Sequence, residues 1–104
     1  MYAAIRKYSI KPGWIEEVMQ LIQRDFVFII SQEPGFLDYY ALRVGPSEVL
    51  TVSVFDTRAG REGSIPLAFE WVQQNLARFV QGIPEATDGQ VFAGAYVPAS
   101  RDDL

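Results

Sequence analysis

The chain has 104 residues, 9 of them basic and 13 acidic, and it contains neither histidine nor cysteine. Without these two residue types there is no imidazole general base, no thiolate nucleophile, no disulfide and no histidine or cysteine ligand for a metal ion. The net charge of −4 disfavours nucleic acid as a partner, because nucleic-acid binding needs a basic surface. Any catalysis must therefore depend on carboxylate, hydroxyl, amide, guanidinium, amine or indole groups or on the backbone.

The length predicts a single domain. Hydrophobic residues make up 49% of the chain, more than a small monomer needs, and a second copy would bury the excess. The longest apolar run, residues 26–30, is too short to span a bilayer, and residues 1–13 lack the apolar core of a signal peptide. We expect a cytoplasmic homodimer with no membrane partner.

The first half of the chain predicts a strand, a helix and two more strands. Residues 2–10 form the first strand, which Pro12 and Gly13 end. Residues 14–31 show the spacing of an amphipathic helix. Its core stripe consists of Ile15, Val18, Met19, Ile22, Phe26 and Ile29. A second apolar row, Trp14, Leu21 and Phe28, should touch a partner or the C-terminal tail.

Residues 36–44 and 48–55 read as two strands joined by a short connection. The second of them alternates, and we expect its more apolar set to face the helices while the other set lines the opposite face of the sheet. The apolar set is Leu50, Val52 and Val54, and the other is Thr51, Ser53 and Phe55.

The second half predicts one more helix and one more strand. Asp56 and Thr57 resemble a helix N-cap, and we expect one or two helical turns over 58–63, a break or kink near Pro66, and a helix over 67–80. Its core face should hold Ile65, Phe69, Val72, Leu76 and Phe79. Residues 90–97 predict the fourth strand, and 98–104 form a polar C-terminal tail.

The resulting order, βαββαβ, predicts an α+β, ferredoxin-like fold for residues 1–97. In this fold an antiparallel four-stranded sheet carries both helices on one face. The other sheet face is left bare and apolar, so two copies should pack face to face through it as a dimeric α/β barrel.

Three turn motifs carry a family resemblance. They are Ile10-Lys11-Pro12-Gly13, Gln32-Glu33-Pro34-Gly35-Phe36 and Ser53-Val54-Phe55-Asp56. With them, residues 2–97 resemble the antibiotic biosynthesis monooxygenases of the dimeric α/β-barrel superfamily. The resemblance implies oxidation of a small aromatic or polyketide-like substrate without a cofactor or metal, in a cavity between sheet and helices. Haem-degrading relatives hold iron through a histidine, which this chain lacks.

The resemblance implies that Asn, Trp, Tyr and Arg side chains bind and polarise the substrate. Asn75 lies four residues after Trp71, so both lie on one side of the helix, although a structural role for the pair is the simpler interpretation. We assign the catalytic positions to Tyr40, Arg43 and Asn75.

Four strand or helix aromatics, Tyr8, Tyr39, Trp71 and Tyr96, are the predicted substrate-binding residues. Tyr suits a cavity of mixed polarity, yet core packing and dimer contacts explain most strand tyrosines. Arg6 and Arg43 lie within strands and either hold an anion or enolate or pair with a carboxylate, for which Asp38 and Asp56 are candidates. Asp25 is a base if it is desolvated and otherwise a surface carboxylate.

Two functions remain open. The first is a cofactor-independent monooxygenase-like enzyme, which predicts a pocket where Tyr, Arg and Asn75 converge. The alternative is a non-catalytic dimeric module that binds a small ligand or acts as a scaffold, which predicts little cavity volume. The motifs define the fold better than the activity.

Overall fold

A computed structural model describes residues 1–97; the predicted tail, 98–104, lies outside the described residues. The strands are β1 (Tyr2–Ser9), β2 (Phe36–Arg43), β3 (Glu48–Phe55) and β4 (Glu85–Gln90). The helices are α1 (Ile15–Leu21), α2 (Val27–Ser31) and α3 (Arg58–Asn75), and a π-helical turn over Ile22–Phe26 joins α1 to α2.

The four strands form one antiparallel sheet in the order β2-β3-β1-β4. β1 pairs with β3 from Tyr2 opposite Phe55 to Ser9 opposite Glu48, and its other edge pairs with β4. The predicted ferredoxin-like arrangement is confirmed. β2 and β4 are the two edge strands of this sheet.

The orientation predicted for β3 was wrong. Val49, Thr51, Ser53 and Phe55 are buried, and Val49 and Phe55 belong to the core packed against the helices. The set of Leu50, Val52 and Val54 is only partly buried and lies on the opposite, open face. Strict alternation defined two faces but not which of them the helices cover, because both carry apolar side chains. The open face is therefore apolar, as expected, but through different residues.

The first helical segment has the predicted extent but not a uniform geometry. The π-helical turn adds one residue to a turn, so the core stripe shifts by one position after it. Consequently Ile30 is 1% exposed, whereas Ile29 is only partly buried. In the second apolar row, Trp14 stacks on Phe79 at 5.1 Å between ring centroids and Phe28 remains 67% exposed.

The second helix differs from prediction in three respects. α3 is continuous from Arg58 to Asn75, without a break at Pro66, and the side chain of Thr57 caps it by accepting the N–H of Gly60. Proline has no N–H group to donate to the carbonyl one turn earlier in the helix. Because Pro66 is exposed, that carbonyl can bind water instead. The helix ends at Asn75 rather than at residue 80.

The buried face of α3 is also rotated from the predicted one. Ile65 and Phe69 are exposed, while Val72, Leu76 and Phe79 are buried as expected. The remaining buried positions of the helix are Gly60, Arg61, Ser64, Ala68 and Trp71. Trp71, which was not predicted to lie on the core face, is 8% exposed.

The fourth strand lies earlier than predicted. β4 spans Glu85–Gln90, and the ladder extends by one bond, from the N–H of Val91 to the carbonyl of Met1. Of the predicted strand, residues 90–97, only Gln90 belongs to β4, and residues 91–97 have no regular secondary structure. Within residues 1–97, no helix is long and apolar enough to cross a membrane.

Candidate active site

A small chamber lies between the sheet and the helices. Its sheet side consists of Arg6 and Tyr8 of β1, Tyr39 of β2 and Thr51 of β3. The helical segments supply the other wall, which is apolar and aromatic: Ile22, Phe26, Ala68, Trp71, Val72 and Leu76. Arg6, Tyr8 and Thr51 share this face because side chains two residues apart on a strand point the same way, and Arg6 lies opposite Thr51.

The aromatic wall is tightly packed. The Phe26 ring meets Tyr39 edge-on at 5.5 Å and meets Trp71 at 4.9 Å between centroids. Such edge-to-face and tilted contacts hold rings in defined orientations. The chamber therefore offers flat aromatic surfaces on the helix side and polar groups on the sheet side.

Arg6 is the cationic group of the chamber. Its side chain is half-buried, and no carboxylate of residues 1–97 forms an ion pair with it. Asp38, one of its expected partners, lies opposite Val54 and therefore on the open face of the sheet. A partly buried guanidinium without a carboxylate is costly for the folded protein and is well suited to binding an anion.

The two phenols of the chamber are held in their protonated form. Burial raises the pKa of Tyr8, and the Arg6 charge opposes this rise. Burial raises the pKa of Tyr39 far above its usual range, and Tyr8 adds to this effect, while the Thr51 side chain and Arg6 oppose it. At neutral pH both phenols therefore act as hydrogen-bond donors rather than as bases.

The chamber itself has a volume of only about 10 Å³, the space of a single water molecule. Two larger grooves adjoin it. The first, of about 120 Å³, shares Arg6 with the chamber and lies between Ile65 of α3 and Ala86 of β4; we call it the β4-edge groove. The second, of about 190 Å³, shares Ile22 and Tyr39 with the chamber and lies along β2; we call it the β2-edge groove.

The three predicted catalytic residues lie in three separate places. Tyr40 is on the open face of the sheet, opposite Val52, and is 59% exposed. Arg43 pairs with Glu16 at 2.6 Å, near the start of α1. Asn75 donates its amide N–H to the Trp71 carbonyl at 2.9 Å. The structure does not bring these residues together, and their catalytic role stays a prediction.

Of the predicted substrate-binding residues, three converge. Tyr8, Tyr39 and Trp71 all line the chamber. Tyr96 does not, since it is 86% exposed in residues 91–97. Arg6, which the sequence analysis considered as a residue that holds an anion, also lines the chamber. Its spacing of two residues from Tyr8 places both side chains on the same face of β1. Thr51 was missed because we expected its side of β3 to face away from the helices.

Asp25 does not act as a desolvated base in this structure. Its carboxylate accepts two hydrogen bonds from Arg24, at 3.1 and 3.2 Å, and these lower its pKa. Over residues 1–97, no three acidic, histidine or cysteine side chains cluster in a way that could hold a metal ion.

The element order and the antiparallel sheet define a ferredoxin-like α+β protein. The sequence model of the antibiotic biosynthesis monooxygenase family matches residues 1–61, more than half of the chain, and the chain therefore belongs to that family. A search of curated proteins found no match.

Solved structures share the fold at low identity. NE2512, a protein of unknown function from Nitrosomonas europaea, is 22% identical over 95% of each chain, with a TM-score of 0.81. The ActVA-Orf6 monooxygenase of Streptomyces coelicolor, solved with nanaomycin D, is 18% identical over 94% of this chain and 92% of its own, with a TM-score of 0.70. Rv0793 from Mycobacterium tuberculosis is 12% identical over 91% of this chain and 98% of its own, with a TM-score of 0.73.

Proposed function

We propose that the protein is a cofactor-independent monooxygenase acting on a small aromatic or polyketide-like phenol or enol. The observation that carries this proposal is the Arg6 guanidinium, which pairs with no carboxylate of residues 1–97, beside two protonated phenols, Tyr8 and Tyr39, under an aromatic wall. These groups suit the oxyanion of a deprotonated aromatic substrate, because a cation and neutral donors stabilise that charge where water is largely excluded.

The substrate supplies the electrons in this reaction. Loss of a proton from an acidic CH₂ group conjugated to a carbonyl gives a carbanion, whose charge resides largely on the oxygen. The carbanion reduces dioxygen and forms a C–O bond at the same carbon. The resulting peroxide anion takes up a proton, which replaces the one removed from the CH₂ group, and becomes a hydroperoxide. Loss of water then leaves a new carbonyl, so that CH₂ and O₂ become C=O and H₂O. In this scheme Arg6 stabilises the oxyanion and thereby lowers the pKa of the substrate.

A substrate needs more room than the chamber of about 10 Å³ provides, since ligand pockets usually measure about 300–1,000 Å³. The β4-edge groove offers the extension. It shares Arg6 with the chamber, and its floor on the helix side of β4 is the small Ala86. We propose that the substrate enters there and displaces the side chains that separate groove from chamber.

Oxygen uptake with anthrone-type and quinol-type substrates tests this function. We expect one O₂ consumed per substrate oxidised, unaffected by chelators. Arg6→Met should lower this activity at least tenfold, whereas Arg58→Met, at an exposed arginine of α3, should preserve it. Equal activity of the two variants, or no uptake across a broad panel, would argue against it.

The second candidate is a non-catalytic module, and the small chamber favours it. On this alternative the protein would bind aromatic anions through Arg6 but consume no oxygen. Calorimetric binding of a phenol or enol without turnover would support the module, whereas turnover would exclude it.

We further propose that two copies pack through the open face of the sheet. Leu50, Val52 and Val54 lie there beside Ile5, and Leu42 and Tyr40 on the same face are 46% and 59% exposed. Contiguous apolar area of this kind is typical of an interface. Sedimentation showing a dimer that Val52→Asp dissociates would support this, and a monomeric wild type would contradict it.

A further inference from the structure

The chamber contains groups that stabilise an oxyanion but no side chain that removes a proton. Tyr8 and Tyr39 are already protonated at neutral pH, and the guanidinium of Arg6 keeps its proton in proteins. The remaining polar groups of the lining, the hydroxyl of Thr51 and the indole of Trp71, are not basic. A side chain that accepts a proton from the substrate therefore has to lie outside the chamber.

The β4-edge groove, which shares Arg6 with the chamber, provides such a group. Among residues 1–97, the one carboxylate that lines this groove belongs to Asp88 of β4. Asp88 lies opposite Ala4 of β1, whereas Arg6 lies opposite Ala86 of β4. Ala4 and Arg6 are two residues apart and share one face of β1, so Asp88 and Arg6 lie on the same, helix-covered side of the sheet.

The spacing of Asp88 and Arg6 suits a ligand that is at least one ring wide. They are two residues apart along the strands and one strand apart across them, which separates their Cα atoms by about 8 Å at about 3.3 Å per residue and about 4.8 Å per strand. The small side chains of Ala4 and Ala86 leave the floor of the groove open between them. A flat substrate with its oxyanion at Arg6 therefore directs its far side toward Asp88.

Arg61 of α3 holds the Asp88 carboxylate on this side of β4. Its Nη1 lies 3.6 Å from Asp88 Oδ1, and its guanidinium lies over the ring of Tyr2 at 5.6 Å from the centroid. This ion pair is longer than a hydrogen bond, so both carboxylate oxygens can still accept a proton. Arg61 is 8% exposed, and within residues 1–97 its Nε has no acceptor, a cost in stability that is typical of a group retained for function.

We propose that Asp88 is the general base of the reaction, an inference that rests on the proposed function. The Asp88 carboxylate takes a proton from the acidic CH₂ group, and the electron pair of that C–H bond stays on the substrate as the carbanion. The carboxylic acid formed in this way returns the proton to the peroxide anion that dioxygen forms at the same carbon. Asp88 then removes the second proton of that carbon as the O–O bond breaks, and the released hydroxide takes this proton from Asp88 and leaves as water.

Hydrogen exchange without dioxygen separates the proton transfer from the oxygen chemistry. Anthrone is incubated with the protein in D₂O under argon, and the loss of its CH₂ signal is followed by NMR. We expect wild type to accelerate this exchange above the buffer rate and Asp88→Asn to be at least about 100-fold slower, because the amide keeps the size of the side chain but is not a base. Glu62→Gln is the matched control, since Glu62 also lies beside Arg61, at 3.7 Å, but does not line the groove, and it should exchange like wild type.

Two further variants separate a chemical role from a structural one. Formate should restore exchange to Asp88→Ala in proportion to its concentration, because a small carboxylate can occupy the vacated space, and a misfolded variant would not respond. Arg61, as a positioning residue, should behave differently: Arg61→Met should slow the exchange at an unaltered affinity for anthrone, and Arg61→Lys should restore it.

The outcomes distinguish the base from the oxygenase function. Exchange by Asp88→Asn at the wild-type rate, or no exchange by wild type, would overturn the assignment of Asp88. Oxygen uptake in air that Asp88→Asn preserves would refute the base alone. Exchange that depends on Asp88, in a protein that consumes no oxygen in air, would support the base and refute the oxygenase function.

Discussion

Replacing Arg6 by Met is predicted to stabilise the protein while weakening its binding of anionic ligands. Met retains most of the aliphatic stem that packs in the chamber but removes the charge. A fully buried ion costs several kcal/mol, and Arg6 is half-buried without a carboxylate among residues 1–97, so we expect a gain of about 1 kcal/mol in the free energy of unfolding. For a chain of this size, that raises Tm by about 4–8 °C.

The same substitution removes the hydrogen bonds from the guanidinium to a bound oxyanion. Hydrogen bonds to a charged group are worth about 1.5–3 kcal/mol, so the affinity for an acidic phenol should fall roughly 10- to 100-fold. Urea unfolding and calorimetric titration measure the two effects on the same sample. Opposite signs for stability and binding are typical of a residue retained for function.

Arg58→Met is the matched control. Arg58 pairs with Glu62 at 3.5 Å, but the two side chains are 71% and 58% exposed, so the pair contributes little, and stability should change by less than about 0.5 kcal/mol. Binding should be unaffected. If Arg6→Met instead destabilised the protein by more than 1 kcal/mol, the guanidinium would have a structural partner and its assignment as an anion site would be refuted.

Three further predictions concern the chamber and the fold. The folded state raises the pKa of Tyr8 and of Tyr39, so its stability is fully present below about pH 10, the pKa of tyrosine in the unfolded chain, and is lost as pH rises further. In urea unfolding between pH 8.5 and 11, the free energy of unfolding should therefore fall less steeply with pH for Tyr39→Phe than for wild type. Gly60→Ala should cost about 1–3 kcal/mol of stability, because a Cβ at this position would lie 2.5 Å from the Pro34 carbonyl oxygen. Gly63→Ala meets only a flexible carboxylate and should be neutral or stabilising by up to about 1 kcal/mol. Equal effects of the two substitutions in thermal melts would contradict this. Leu76→Ala, at a side chain 1% exposed, should cost about 2–5 kcal/mol in urea unfolding, and a smaller loss would place that residue outside the core.

The sequence predicted the elements well wherever a turn residue and a periodicity agreed. β3 begins and ends as predicted, and β1 and β2 each differ by one residue at one end. Pro66 was misleading because a single exposed proline costs one hydrogen bond, which the capped and packed remainder of α3 outweighs. β4 was misplaced because its sequence, from Glu85 to Gln90, has no apolar pattern, and only pairing with β1 makes it a strand.

The candidate site could be predicted only in part, because it depends on which face the helices cover. Tyr8, Tyr39 and Trp71 are large aromatic residues that would be selected in either orientation. Thr51 could not be identified, since its side chain points into the chamber only when β3 presents its less apolar face to the helices. The π-helical turn also has no clear sequence signal, yet it determines the register of Ile30 in the core.

Oxygen consumption by wild type and Arg6→Met, measured on the same anthrone-type substrate, tests the proposed function most directly. We expect wild-type turnover in the presence of a chelator, with one O₂ consumed and one carbonyl formed per substrate, and at least a tenfold loss of kcat/KM in Arg6→Met while its Tm rises. Substrate binding without oxygen consumption, or turnover independent of Arg6, would contradict it.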